Sequence, residues 1–143
     1  MSGATIIADA NEDLLSLHRY FIWANRMRTH FEEVITTSGI PEGQLTIEAR
    51  TYLSYWYSGL YVVIEGWQDL GLKDAEIDEL LNSAFVDLLK RFQNGTFHFQ
   101  RKYNDDRFTQ FLAAGQAAVD WVRNLNRQFG RYLLAAMRKD QSK

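Results

Sequence analysis

The stretch Ile47-Glu48-Ala49-Arg50-Thr51-Tyr52-Leu53-Ser54-Tyr55-Trp56-Tyr57-Ser58-Gly59-Leu60-Tyr61-Val62-Val63-Ile64-Glu65-Gly66-Trp67-Gln68-Asp69-Leu70 decides the fold. Leu53, Trp56, Leu60, Val63, Trp67 and Leu70 follow one another at alternating three- and four-residue steps, which draws one apolar stripe on a helix. A half-buried strand would alternate every second residue instead. Gly59 and Gly66 fall on one face of this helix. Glycine inside a helix costs about 1 kcal/mol relative to alanine, so the pair predicts a neighbouring helix at close range. Gly71 is the expected C-terminal cap, with Leu72 folding back over the last turn.

The same rhythm extends outward. A first helix is expected from Glu12 to Thr36, on a stripe of Leu14, Leu17, Phe21, Ala24, Phe31 and Ile35. Two glycines and a proline in Thr37-Ser38-Gly39-Ile40-Pro41-Glu42-Gly43 then predict a loop. Asp74 can cap a third helix, with Glu76 at its positive end and a stripe of Ile77, Leu81, Ala84, Leu88 and Phe92. Asn94-Gly95 is expected to stop or kink it. Asn104 or Asp105 can cap a fourth helix that carries Phe108, Phe111, Gly115, Ala118, Val122, Leu125, Phe129, Tyr132 and Ala136, with a bend available at Gly130. Thr96 to Tyr103 alternates loosely but has no partner strand. The expectation is an all-α, four-helix up-and-down bundle, a single domain over residues 1–143 with residues 1–10 disordered.

Composition narrows the function. With 46% apolar and 24% charged residues, the 143-residue chain has the make-up of a globular domain. The absence of cysteine excludes a disulfide scaffold, a cysteine nucleophile and a thiolate zinc site. No apolar run approaches the ~20 residues that span a bilayer, and no export signal opens the chain, so the expectation is a cytoplasmic protein without a membrane role. Charge is uneven. Residues 1–89 hold 14 acids and 5 bases, a net of −9, and residues 90–143 hold 4 acids and 11 bases, a net of +7. Either the two halves pair with each other, or the basic half meets an anionic ligand.

Several chemistries lack their residues. Di-iron bundles use Glu-x-x-His, yet Leu15, Met27 and Gly95 precede His18, His30 and His98 by three. Glu65 and Asp69 share a helix face, which ordinarily means a solvated surface or an ion pair. Tyr20 to Arg26 is similar to the first helix of DinB-like metal-binding bundles, but their second-helix histidine has no counterpart. No metal and no cofactor is expected. Gly-Lys-Ser, Gly-Lys-Thr and Gly-x-Ser-x-Gly are all absent, which sets aside phosphate-loop enzymes and elbow hydrolases.

The segment Lys90-Arg91-Phe92-Gln93-Asn94-Gly95-Thr96-Phe97-His98-Phe99-Gln100-Arg101-Lys102 concentrates what remains: one histidine, amides and four cations. Cleaving an RNA backbone without a metal needs a proton-transfer group, for which histidine is suited. It also needs a donor or cation that stabilises charge on the phosphate, and a strand held in line. His98, Arg91 and Asn94 are the candidate catalytic residues. Gln93, Arg101 and Lys102 are candidate substrate contacts, and Phe97 and Phe99 can stack bases. The same residues admit plainer roles. His98 can clamp a loop, Asn94 with Gly95 can end a helix, and the cations can be solvated or paired with Asp105 and Asp106.

This segment, within its helix order, resembles the HEPN family, whose bundles carry an Arg, a short spacer and a His, often as Arg-Asn-x-x-x-His, near the start of the last long helix. The resemblance rests on Asn94-Gly95-Thr96-Phe97-His98-Phe99-Gln100 and on Asp106-Arg107-Phe108. It implies a homodimer in which two such segments face each other. It also implies either a metal-independent ribonuclease of toxin–antitoxin or phage-defence type, or an inactive relative that binds nucleotides, RNA, an antitoxin or another protein. One departure stands out. Aligned on Asn94 and His98, the family's arginine falls on Gln93, and Arg91 reaches His98 only across a six-residue spacer. The expected protein is therefore a degenerate or weak ribonuclease, with a non-catalytic homodimeric interaction module as the alternative.

Overall fold

The computed structural model describes residues 3–38 and 45–141. Six helices follow in order: α1 (Gly3–Ser38), α2 (Ile47–Asp69), α3 (Ala75–Leu80), α4 (Phe85–Phe97), α5 (Asp106–Ala113) and α6 (Gln116–Gln141). The described residues contain no strand, so the chain is all-helical as the periodicity predicts. α1 extends the expected Glu12–Thr36 helix at both ends, from Gly3 to Ser38. The expected loop after Thr36 lies, from Gly39 to Gly43, outside the described residues.

α1 packs along α2, and the glycines set their distance. A Cβ on Gly59 would stand 3.1 Å from the Ala24 Cβ, and one on Gly66 would stand 2.7 Å from the Leu17 Cδ1. The stripe of α2 is buried at Leu53, Trp56, Leu60, Val63 and Trp67. Its end closes as expected. Gly71 has φ +64, its N–H donates to the Gln68 carbonyl, and the Leu72 N–H donates to the Trp67 carbonyl. Thr46 caps the start, its hydroxyl accepting from the Ala49 N–H at 3.0 Å.

The expected third and fourth helices are each two helices. Asp74 caps α3 by accepting from the Ile77 N–H at 3.1 Å, but α3 stops at Leu80, and α4 begins only at Phe85 after a turn closed by Ser83. The long C-terminal stripe breaks at Gly115, whose φ of +75 turns the chain between α5 and α6. Positive φ is open to glycine and strained for residues with a Cβ. Asn94-Gly95 does not stop α4, which runs on to Phe97. Gly95 is a notch. A Cβ there would meet the Phe108 ring at 3.0 Å and the Arg107 Cβ at 3.1 Å, so its absence seats α5 against α4.

One contiguous core joins α1, α2, α4 and α6, with Ile77 of α3 and Phe111 of α5. Rings dominate it, with Tyr57, Phe92 and Phe111 mutually edge-on at centroid distances of 5.6, 5.3 and 6.1 Å. A polar relay crosses three helices inside it. Trp56 Nε1 donates to Asn126 Oδ1 at 3.0 Å, and Asn126 Nδ2 donates to Asn25 Oδ1 at 3.0 Å. The charge asymmetry is in part internal. Arg131 reaches Asp74 at 2.7 Å and Arg123 reaches Glu32 at 3.1 Å, each pairing the basic end of the chain with the acidic part. No helix among the described residues is long and apolar enough to cross a membrane.

Candidate functional site

α4 ends where the histidine begins. His98 leaves the helix with extended backbone (φ −121°, ψ 128°), and its N–H donates to the Asn94 carbonyl at 3.0 Å. The loop that follows is tied back on itself. The Gln100 amide donates to the His98 carbonyl at 2.8 Å, and its oxygen accepts from Arg107 at 3.1 Å. Arg107 also pairs with Asp105 at 3.1 Å. Asp105 caps α5 by accepting from the Arg107 N–H at 2.9 Å. That backbone N–H holds the Asp105 carboxyl below the usual carboxylate range. Desolvation opposes it, and the Arg107 guanidinium and the charge of Arg91 add to the lowering.

This clamp shapes a cleft of about 660 Å³ between the His98 loop, the first turns of α2 and the face of α5. A volume of that size lies within the usual range for small-molecule sites, about 300–1,000 Å³. His98 and Lys102 line it from the loop, Arg50 and Ser54 from α2, and Thr109 from α5. Among the described residues that line it, Arg50 and Lys102 are the charged ones and no carboxylate is present. Phe99 and Tyr103 also line it and stand out in solvent, 92% and 79% exposed. Each offers a ring face to a flat ligand.

The sequence candidates divide. His98 and Lys102 come together in the cleft. Arg91, Gln93, Asn94 and Arg101 do not line it. Arg91 lies on exposed α4 surface and donates to Gln110 Oε1 of α5 at 3.0 Å. Because α4 stays helical through Gly95, Arg91 and His98 are separated by about two turns, roughly 10.5 Å along the axis. Asn94 serves His98 through its backbone carbonyl, and Gln93 is half-buried on α4. Phe97 leans on Tyr55 at a centroid distance of 6.1 Å rather than into the cleft. Arg101 is exposed on the loop.

No family model, curated protein or solved structure matches the chain. The chemistry of the site is therefore argued from its own side chains. Arg50 is the residue that the sequence reading missed. It is an isolated cation in the first turn of α2, forty-eight positions before His98, and no spacing rule joins the two. Its guanidinium has no hydrogen-bond or ion-pair partner among the described residues, which leaves its donors available to an anion in the cleft. Among the described residues there is also no cluster of three or more His, Cys, Asp or Glu placed to hold a metal ion.

Proposed function

We propose that the chain is a HEPN-like protein of the toxin–antitoxin or defence type, a weak metal-independent endoribonuclease whose site is the His98 cleft. On this reading α3 with α4, and α5 with α6, are two broken arms of a four-helix up-and-down bundle. The protein works in the cytoplasm as a homodimer, with an antitoxin or other protein as a partner. The observation that carries the proposal is that an exposed imidazole, two unpaired cations and two solvent-facing rings line one cleft free of carboxylates among the described residues.

Each group has a task. Phe99 and Tyr103 stack on bases and hold the strand. Arg50 and Lys102 neutralise the phosphate as charge builds on its oxygens. His98 takes the proton of the ribose 2′-hydroxyl while that oxygen attacks phosphorus. The bond from phosphorus to the 5′-oxygen breaks, the leaving oxygen receives a proton, and the products are a 2′,3′-cyclic phosphate and a 5′-hydroxyl end. Two clefts facing each other in a dimer supply the base and the acid together. The activity is weak because Gln93 has no charge and Arg91 is held by Gln110.

The test is purified protein with a mixed RNA pool in EDTA. Cleavage by the wild type that disappears in His98→Ala supports the reading, and an intact pool overturns it.

A second reading, a non-catalytic homodimeric interaction module, is favoured by a different surface. On α1 the Arg19 guanidinium lies over the Tyr20 and Trp23 rings at 5.3 and 5.5 Å, beside exposed Leu15 and Ile22. Aromatics and arginine of this kind are enriched at protein interfaces. A stable dimer with no action on RNA decides for it.

A further inference from the structure

On α1 the positions Glu12, Leu15, Arg19, Ile22 and Arg26 follow one another at three- and four-residue steps, and all five are exposed. Steps of this kind draw the seam along which one helix packs on another. A separate stripe of the same helix, with Leu17, Phe21, Ala24 and Phe31, is buried in the core. α1 therefore has two seams, and its own chain covers one. The other carries large apolar groups. Leu15 is 52% exposed, Ile22 45% and the adjoining Trp23 57%.

The charges on this seam say what covers it. Glu12 stands at one end and Arg26 at the other, about 21 Å apart along the axis. Neither has an ion-pair partner among the described residues. Arg19 lies midway between them. An identical helix laid antiparallel, with a two-fold axis at Arg19, brings Glu12 opposite the partner's Arg26 at both ends and Leu15 opposite the partner's Trp23. A parallel copy in register would set Glu12 on the partner's Glu12 and Arg26 on the partner's Arg26, like charge on like. Arg19 does not clash at the axis. Its guanidinium leans along its own helix over the Tyr20 and Trp23 rings at 5.3 and 5.5 Å, and the two-fold turns the two guanidiniums in opposite directions.

We propose that α1 pairs antiparallel with α1 of a second copy across a two-fold axis at Arg19, with Glu12 bound to the partner's Arg26 and with Leu15, Ile22 and Trp23 buried between the helices. The proposal rests on the interaction-module reading and supplies its register. It is a different contact from one that sets two His98 clefts face to face. α1 and α2 run antiparallel, with Leu17 against Gly66 and Phe31 against Trp56, and the cleft lies beyond that point at Ser54 and Arg50. An axis at Arg19 carries the two clefts to opposite ends of the pair.

The chain has no cysteine, so single cysteines report position without background. The experiment is sedimentation of the full chain, together with oxidation of Arg19→Cys, Glu12→Cys and Arg26→Cys variants read on non-reducing gels. Arg19→Cys is expected to link to its own copy, since the axis brings the two backbones within disulfide reach. Glu12→Cys alone stays unlinked, its two copies standing about 21 Å apart, and links when mixed with Arg26→Cys. Charge reversal gives the second readout. Glu12→Arg or Arg26→Glu alone weakens self-association about tenfold or more, and an equal mixture of the two variants regains the wild-type affinity as a heterodimer. A wild type that stays monomeric to about 100 µM overturns this proposal and the interaction-module reading together. Dimers in which Arg19→Cys does not link, or charge-reversed variants that gain nothing by mixing, overturn this interface and leave that reading standing.

Discussion

The Phe108 ring lies 3.0 Å from the point where a Cβ on Gly95 would stand. That contact brings the start of α5 onto the end of α4, and with it the Asp105–Arg107–Gln100 clamp that fixes the loop carrying His98. Overpacking here costs about 1–3 kcal/mol, against about 1 kcal/mol recovered from the better helix former. Gly95→Ala is therefore expected to lower stability by about 1 kcal/mol net. Thermal unfolding checks it, and an unchanged or raised Tm contradicts the packing account.

The relay from Trp56 through Asn126 to Asn25 is satisfied only as a set. Asn126→Leu strands the buried Trp56 N–H and is expected to cost about 1–3 kcal/mol. In a double-mutant cycle, Trp56→Phe in the same chain removes the stranded donor, so the two losses should sum to more than the double variant shows. Strict additivity in urea unfolding would dismiss the relay.

Asp74 contributes a pH dependence of known sign. Desolvation alone would raise its carboxyl, but the hydrogen bond from Arg131, the backbone N–H groups of Ile77 and Glu76 and the charge of Arg131 outweigh it and hold the pKa below the usual value. A group depressed in the folded state adds stability above its unfolded pKa, about 3.9, and loses it as pH falls through the folded value. Asp74→Asn keeps a capping side chain and removes the charge. Its stability deficit against wild type should be full near neutrality and shrink below about pH 4. A deficit that does not change with pH rules the ion pair out as its source.

Much of this architecture is readable in the residues. The α2 stripe, the Gly59 and Gly66 approach, the Gly71 close and the Asp74 cap all follow from local chemistry that tertiary context did not override. The breaks are not readable because the apolar rhythm runs through them in phase. Phe111, Gly115 and Ala118 keep the spacing of one helix, and only the backbone angle of Gly115 shows the turn. Gly95 misleads for the opposite reason. A glycine that ends helices elsewhere is here a contact surface for a ring thirteen residues away. At the site, His98 and Lys102 are visible as a cluster because they are neighbours in sequence. Arg50 joins them only through the packing of α2 against α4.

That packing separates two arginines by effect. Arg50 lines the cleft and Arg91 is engaged with Gln110. Arg50→Gln is expected to reduce RNA cleavage roughly tenfold or more, as loss of a group that meets developing charge does. Arg91→Gln should change it only slightly. Initial rates on one labelled RNA give the comparison, and the reverse order would move the phosphate to the α4 face.

The central claim rests on His98 and is tested most directly by one digestion. Wild type and His98→Ala, matched for folding by circular dichroism, are incubated with a labelled RNA pool in EDTA between about pH 6 and pH 8. The account predicts fragments ending in 2′,3′-cyclic phosphate from the wild type and none from the variant. RNA left whole by the wild type, or cut equally by both proteins, would contradict it.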